Sequence, residues 1–375
     1  MYIFDKEIQA AKAMTMTGGT MTVDLDETVD YTALLLRFSW TADSSQIDAS
    51  KERILDWVTG ITVIGDDDKY VVNATARELA ALYFYRTKQP VKEYLNNADN
   101  STNVLELPIL FGRYFGDPEY FLKKGQFSKL ELNVTNGDSA TGNYFDAGTL
   151  EVRGYIFKDH DLTSKGVLRP KEVKSWTPSS GTDSMTEELP DKYKIEKVIV
   201  EGQPTYQNRT TALTAELSTL IDKLKLTFKG GSFEVFNDDV EDLFRRNAAV
   251  YGLARTGGHF TGQRNDYVDT GLGYVQRAFL TIANTSATAG VNDIGFSQST
   301  NQKQKVVQAA AGDIACIWEA EGYAYLDTVV FDFAPDGDMR YIYDPSRYKK
   351  GELKITAGST AGTIKIVVSE VVPSF

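Results

Sequence analysis

Cysteine is almost missing from this chain: Cys316 is the single one among 375 residues, which excludes an internal disulfide and the staples of small secreted scaffolds. Histidine is nearly as scarce. His160 and His259 fall in different halves and offer no shared framework for a zinc site or a Ser-His-Asp triad. No apolar run reaches the eighteen residues of a spanning helix, and Asp5, Lys6 and Glu7 arrive before a signal-peptide core could form, so no cleavable leader is expected. Neither G-x-x-x-x-G-K-S/T nor G-x-G-x-x-G follows a strand-like run, which leaves a nucleotide fold without an anchor. Long basic runs are lacking too. Lys123-Lys124, Arg245-Arg246 and Lys349-Lys350 are doublets, read as solvated surface, and 52 acidic against 40 basic residues give a formal charge of −12. That field repels phosphate, and no direct nucleic-acid contact is expected.

What is abundant points to strands. Hydrophobic residues make up 42% of the chain, with 19 Phe, 20 Tyr and 30 Gly, a blend suited to many strands joined by tight turns. The length exceeds what one core usually fills, so two domains are expected. The longest stretch of loop composition, Trp176 to Asp191, carries Pro178, Ser179, Ser180, Gly181, Asp183, Ser184 and Pro190. It divides the chain into residues 1–178, a linker at 179–189, and residues 190–375. Period-two alternation marks antiparallel strands at Thr20–Leu25, around Leu130, Leu132 and Val134, and around Leu150, Val152 and Ile156. Leu34–Trp40 is more continuously apolar. In the second half Val329, Phe331 and Phe333 form one face and Ile364, Ile366 and Val368 another. Gly358-Ser359-Thr360-Ala361-Gly362 reads as a hairpin connection between Glu352–Ala357 and Thr363–Ser369. Further turn signals stand at Gly230-Gly231, Asp336-Gly337 and Asp344-Pro345.

An internal echo supports duplication. Ile61 to Asn73, then Thr75-Ala-Arg-Glu78 and a helical run to Arg86, matches Leu224 to Asn237, then Asp238-Asp-Val-Glu241 and a helical run to Tyr251. Both read as hairpin, Asn, cap, helix. Thr75 or Asp238 is placed to accept an amide of the first turn, and the acid three residues on to return a bond to the cap backbone. Asn73 and Asn237 lie 164 positions apart (237 − 73), close to one half, as expected for a repeated unit.

The search for chemistry yields little. His259, after Gly257-Gly258, reads as a loop histidine, and His160 sits between Asp159 and Asp161. Cys316, in Asp313-Ile-Ala-Cys-Ile-Trp318, reads as a small buried hydrophobe. Glu319 and Glu321 share a strand face near Trp318, Tyr323 and Tyr325, where they could flank a sugar, yet any half-exposed strand places polar residues so. Asp66-Asp67-Asp68 and Asp336-Gly337-Asp338 could offer oxygens to calcium but lack EF-hand spacing. Asn-x-Ser/Thr triplets at Asn73, Asn100, Asn133, Asn208 and Asn284 are treated as unmodified. No catalytic, cofactor-binding or metal-ligating residue is assigned, and no enzyme activity is expected.

The whole-chain pattern resembles the double jelly-roll major capsid proteins of tailless icosahedral viruses, bacteriophages among them. Val72-Asn73 and Phe236-Asn237 before the capped helices carry the likeness, together with Leu107-Pro-Ile-Leu-Phe-Gly112 to Leu132, Leu150 to Phe157, Leu168-Arg-Pro-Lys-Glu-Val173 and the closing strands Leu353 to Val368. The resemblance implies an all-β chain of two tandem antiparallel jelly-roll sandwiches, each with a short flanking helix. It implies a structural role in the capsid shell of the virion, assembled in the host cytoplasm. The partners would be two further copies in a pseudo-hexameric homotrimer, neighbouring capsomers and minor capsid proteins. Met1–Thr15, with Lys6 and Lys12, would be a peripheral foot near an internal viral membrane. Segments Asp138–Ala147, His259–Asp269 and Thr285–Gln304 would be towers or subunit contacts. The competing reading is a two-domain β-sandwich that binds or acts on glycans, with those loops at carbohydrate.

Overall fold

The computed structural model describes residues 1–15, 18–42, 54–96, 100–137, 145–179, 181–204, 217–262, 267–284, 295–298, 303–307 and 314–373. The first eight long strands in chain order are Tyr2–Met14, Gly19–Asp24, Asp30–Ala42, Val58–Gly65, Lys69–Ala74, Thr102–Leu110, Leu130–Asn136 and Phe145–Lys158. They pair as 1-8-3-6 and 2-7-4-5, with short Lys92–Tyr94 added beside the sixth. A second set follows: Val167–Trp176, Ser184–Glu188, Lys194–Pro204, Ile221–Phe228, Phe233–Asp239, Thr328–Asp332, Gly351–Ala357 and Gly362–Val372. It pairs in the same order, 1-8-3-6 and 2-7-4-5. Each set is a sandwich of two antiparallel sheets closed by Greek-key connections, the jelly-roll plan.

The repeat extends to irregularities that no alternation rule requires. Against the eighth strand the first skips one residue, between Glu7 and Gln9 in one unit and between Glu172 and Lys174 in the other. The third skips Thr32 in one and Glu196 in the other. The fourth skips Thr59 and Asp222 against the seventh, and the fifth skips Val71 and Val235 against the fourth. A further shift between Gln9 and Lys12 has no counterpart. β-Bulges re-aim side chains and bend strands, so coincidence at four places marks one architecture used twice.

Alternation builds the cores. Leu130, Leu132 and Val134 are buried with Glu131 and Asn133 half-exposed between them, and Phe38 stacks on Trp40, which meets Trp57 edge-on. Each such aromatic removed from water contributes roughly 1.5–3 kcal/mol. The second unit repeats this with Ile364, Ile366 and Val368.

Three expectations need correction. Gly351–Ala357 and Gly362–Val372 do not form a hairpin: they belong to opposite sheets, and the link between them docks on the Leu217–Leu220 turn through Gly358 N to Leu220 O (2.8 Å) and Thr360 N to Thr219 O (3.0 Å). A Cβ at Gly358 would stand 2.1 Å from Thr219 O, which is why glycine holds that crossing. The segment read as a linker contains the strand Ser184–Glu188, paired along its length with Gly351–Ala357, and Val167–Trp176 pairs with the closing strand of the second set. The segment read as a peripheral foot, Tyr2–Met14, is the outermost strand of a five-stranded sheet. Its backbone pairs from Tyr2 with Lys158 to Met14 with Gly148.

The two helices of the echo run over Ala76–Thr87 and Val240–Tyr251. Thr75 forms the full capping box with Glu78. In the second helix the cap is Asp239, one residue beyond the expected Asp238, and its side chain makes no capping bond. Asn73 and Asn237 therefore each stand two residues before their caps. Between the second helix and the sixth strand the chain inserts a three-stranded sheet of Ala254–Gly262, Ile314–Tyr325 and Leu272–Asn284. Of the expected tower segments, 259–262 lies in this sheet, and 267–269, 295–298 and 303–304 belong to a second three-stranded sheet of Tyr267–Asp269, Lys303–Val307 and Gly295–Gln298. Residues 145–147 open the eighth strand of the first unit, while 138–144, 263–266, 285–294 and 299–302 lie outside the described residues.

Candidate functional site at the junction of the sandwiches

The sheet 2-7-4-5 of the first unit and the sheet 1-8-3-6 of the second are one eight-stranded sheet. They join where Lys69–Ala74 lies parallel to Val167–Trp176 through a single bridge, Asn73 to Lys171. Beside this bridge the first helix is wedged between the units, and buried residues occupy every side of it, from Ala76 to Tyr85. The helix forms readily, being rich in Ala and Leu, but it carries two arginines into the wedge.

Arg77, 5% exposed, donates from Nε to Glu201 Oε1 (3.0 Å), from Nη2 to Asp327 Oδ2 (3.0 Å) and Leu326 O (2.9 Å), and from Nη1 to Asp56 Oδ1 (2.7 Å). Nine residues and about two and a half turns later, Arg86 donates to Glu196 Oε2 (2.8 Å), Ser369 Oγ (2.8 Å) and Leu110 O (3.2 Å). The bulge at Glu196 turns this carboxylate out of the strand's alternation and toward the helix. Lys197 follows at 3.7 Å and reaches Asp332 at 2.8 Å. Tyr85 Oη bonds Thr328 O at 2.8 Å, and Phe84 and Tyr85 pack on Tyr251, the last residue of the second helix.

Burial opposes ionisation of Glu196, but the Arg86 guanidinium, the Lys197 ammonium and the bonds from Arg86 and Ser369 prevail and hold its carboxyl down to about 2. Glu78 behaves oppositely: burial and the neighbouring Glu201 carboxylate push it up, against the pull of Lys365. Buried ions so arranged fix orientation, because removing one partner leaves the other uncompensated. This geometry binds the two sandwiches rigidly. Among the described residues no cluster of His, Cys, Asp and Glu is arranged to hold a metal.

The residues considered for chemistry lie elsewhere and apart. His160 pairs through Nε2 with Asp30 (3.2 Å) rather than with flanking Asp159 or Asp161, accepts the Leu162 amide at Nδ1 (3.1 Å), and packs on Phe121 and Phe157. His259 is in a strand rather than a loop, with its amide bonded to Leu95 O (2.7 Å). Its preceding glycines answer to close approach, since a Cβ at Gly258 would lie 3.0 Å from that of Leu95. Cys316 is in the central strand of the inserted sheet. Trp318 is buried there while Glu319, next to it, is exposed: they face opposite ways, and Glu321 pairs with Arg255 at 3.5 Å. Asp66 accepts the amides of Ser128 and Lys129 and pairs with Lys69. Asp336 pairs with Lys88, and Asp338 with Arg340. Of the basic doublets, Lys124 faces Asp30, Arg245 faces Glu241 and Asp242, Arg246 lies over Phe236, and Lys350 faces Glu188 and Glu352.

Sequence reasoning missed the junction. A usable signal was present in Ile195-Glu196-Lys197-Val198-Ile199-Val200-Glu201, where charges interrupt an otherwise continuous apolar strand.

An all-β chain of two tandem jelly rolls, each with a flanking helix, defines the structural class. Solved structures show the same fold over the full length: the double jelly roll of viral major capsid proteins. The major capsid protein of Sulfolobus Turreted Icosahedral Virus superposes with a TM-score of 0.61 at 10% identity, covering 100% of this chain and 98% of that one. P2 of Bacteriophage PM2, also a major capsid protein, gives 0.53 at 11%, covering 99% and 98%. VP54 of PBCV-1 gives 0.54 at 12%, covering 98% and 93%. No family model and no curated protein sequence matches the chain.

Proposed function

We propose that this chain is the major capsid protein of an icosahedral virion, built into the shell as pseudo-hexameric homotrimers. The observation that carries the reading is the junction: two sandwiches of the same strand order share one sheet and are locked by buried ions, so a single chain presents two lobes in fixed relation. Three such chains supply six lobes. The likeness to three capsid proteins over nearly the whole of each chain favours the same use. We set the change-over between units ahead of Val167, a reading supported by the pairing of Val167–Trp176 with the closing strand of the second set. Neighbouring capsomers and minor capsid proteins are the partners implied, with assembly in the host cytoplasm, and the reading assigns no catalytic role. The alternative of a glycan-active protein gains no support from Glu319 and Trp318, which face opposite ways.

Light scattering at micromolar concentration is expected to give about 125 kDa, three times the chain mass of 41.6 kDa, and particle images a hexagonal outline. A stable monomer that binds glycans would defeat the proposal.

A further inference from the structure

The contact inside the chain has two unused halves. Within one molecule the fifth strand and helix of the first unit seat on strands 1-8-3-6 of the second. The fifth strand of the second unit, Phe233–Asp239, and the first strand of the first unit, Tyr2–Met14, are both outermost in their sheets. Both are bare: Phe233 and Val235 on one, and Tyr2, Ile3 and Phe4 on the other, are exposed. The second helix is bare as well, burying only Val240, Leu243, Phe244 and Tyr251 where the first is covered all round. Long unpaired edges invite another chain unless they are protected.

We propose that these surfaces meet between copies, so that the second unit of one chain seats on the first unit of the next as the first seats on the second within a chain. The inference rests on the capsomer reading and adds which edges join and in what register.

The repeat fixes that register. Lys171 pairs with Val368 as Lys6 pairs with Gly154, each one residue before the pair that precedes the bulge. Lys6 is thus the counterpart of Lys171, and Asn237 that of Asn73. The bridge Asn73 to Lys171 becomes Asn237 to Lys6 of the next copy, and both residue types recur. The same mapping carries Arg77 to Glu241 (241 − 77 = 164) and Glu201 to Arg37 (201 − 37 = 164), so the inner ion pair recurs with its signs exchanged. Arg37 is half-exposed and holds Glu151 and Glu106 only at 3.8 and 3.9 Å; Glu241 is exposed on the bare helix face beside Arg245. Arg86, paired inside with Glu196 and Ser369, maps to exposed Val250; Thr32, the counterpart of Glu196, is buried and holds the Gly116 amide, so the new neighbours would be Tyr155, the counterpart of Ser369, and exposed Phe115 packed on it. An apolar contact there replaces an ionic one. Arg245 stands where the first helix has Ala81, so the outer contact is wider than the inner. Because the two faces differ, the interface is heterologous, and three copies related by a three-fold rotation close it as a ring.

Charge exchange tests the pairing. Arg37→Glu and Glu241→Arg are each expected to abolish the trimer at micromolar concentration while the released chain still unfolds in one cooperative transition, since both side chains are about half-exposed; the double variant restores the trimer. In a Cys316→Ala background, Lys6→Cys with Asn237→Cys is expected to yield covalent trimers under mild oxidation or with a short bismaleimide, and either cysteine alone none. A trimer that forms yet ignores both tests overturns the edge assignment and leaves the capsomer reading standing. Wild-type protein that stays monomeric defeats the capsomer reading and this inference with it.

Discussion

Glu78 stands at a point of conflict. Its Oε2 accepts the Thr75 amide at 2.8 Å, while Oε1 lies 3.6 Å from Lys365 without a hydrogen bond, close enough to Glu201 for the two carboxylates to oppose each other. With its pKa raised above the usual carboxylate value of 4.5, the folded chain holds a proton that the unfolded chain releases first. Stability from this group is therefore complete in acid and falls as pH climbs from the ordinary carboxylate value toward the raised one. Glu196 acts in the opposite sense: its stabilisation is complete above 4.5 and lost as pH falls toward about 2. The melting temperature is expected to peak in mild acid and decline toward pH 8. Glu78→Gln, which keeps an acceptor for Thr75 and removes the charge, should flatten the decline, a gain on the order of 2 kcal/mol at pH 8. Melts of both proteins across pH 4 to 8 check this. An unchanged slope would show that Glu78 is not the group responsible.

At the scale of single elements the two helices give an internal control. Thr75 closes a capping box, so Thr75→Ala should cost about 1 kcal/mol; Asp239→Ala, where no side-chain bond is made, should cost a few tenths at most. Chemical denaturation of the two variants compares them directly. Strands and helices were legible in the sequence because Leu130, Leu132 and Val134, or Ile364, Ile366 and Val368, alternate with polar residues as a half-buried strand must. The partner of each strand was less so. Five residues between two strand patterns look alike whether they turn within a sheet or cross to the opposite one, and Gly358 to Gly362 cross. Two adjacent aspartates hid which was the cap. Arg77 and Glu201 are 124 residues apart, and no local period relates them, so the junction emerged only from the fold.

For the whole molecule, the continuous eight-stranded sheet and the ionic wedge predict that the two units do not melt separately. Calorimetry should show one transition whose calorimetric and van't Hoff enthalpies agree; two resolved transitions would mean that the junction contributes little. The duplication itself was partly readable from the echo at Asn73 and Asn237, but the four shared bulges were not, since a skipped residue leaves the side-chain pattern on either flank intact. The bridge between Asn73 and Lys171 also has a mechanical consequence. One backbone pairing resists tearing weakly, so two lobes pulled apart would open along that line if nothing lay behind it. Arg77 and Arg86, on the helix that follows the strand of Asn73, act as a latch beside a hinge: bending the lobes apart must pull their buried ion pairs open. The stiffness of the lobe pair thus resides in a few ions, and under the proposed function an assembly of such pairs would yield between chains before it yields within one.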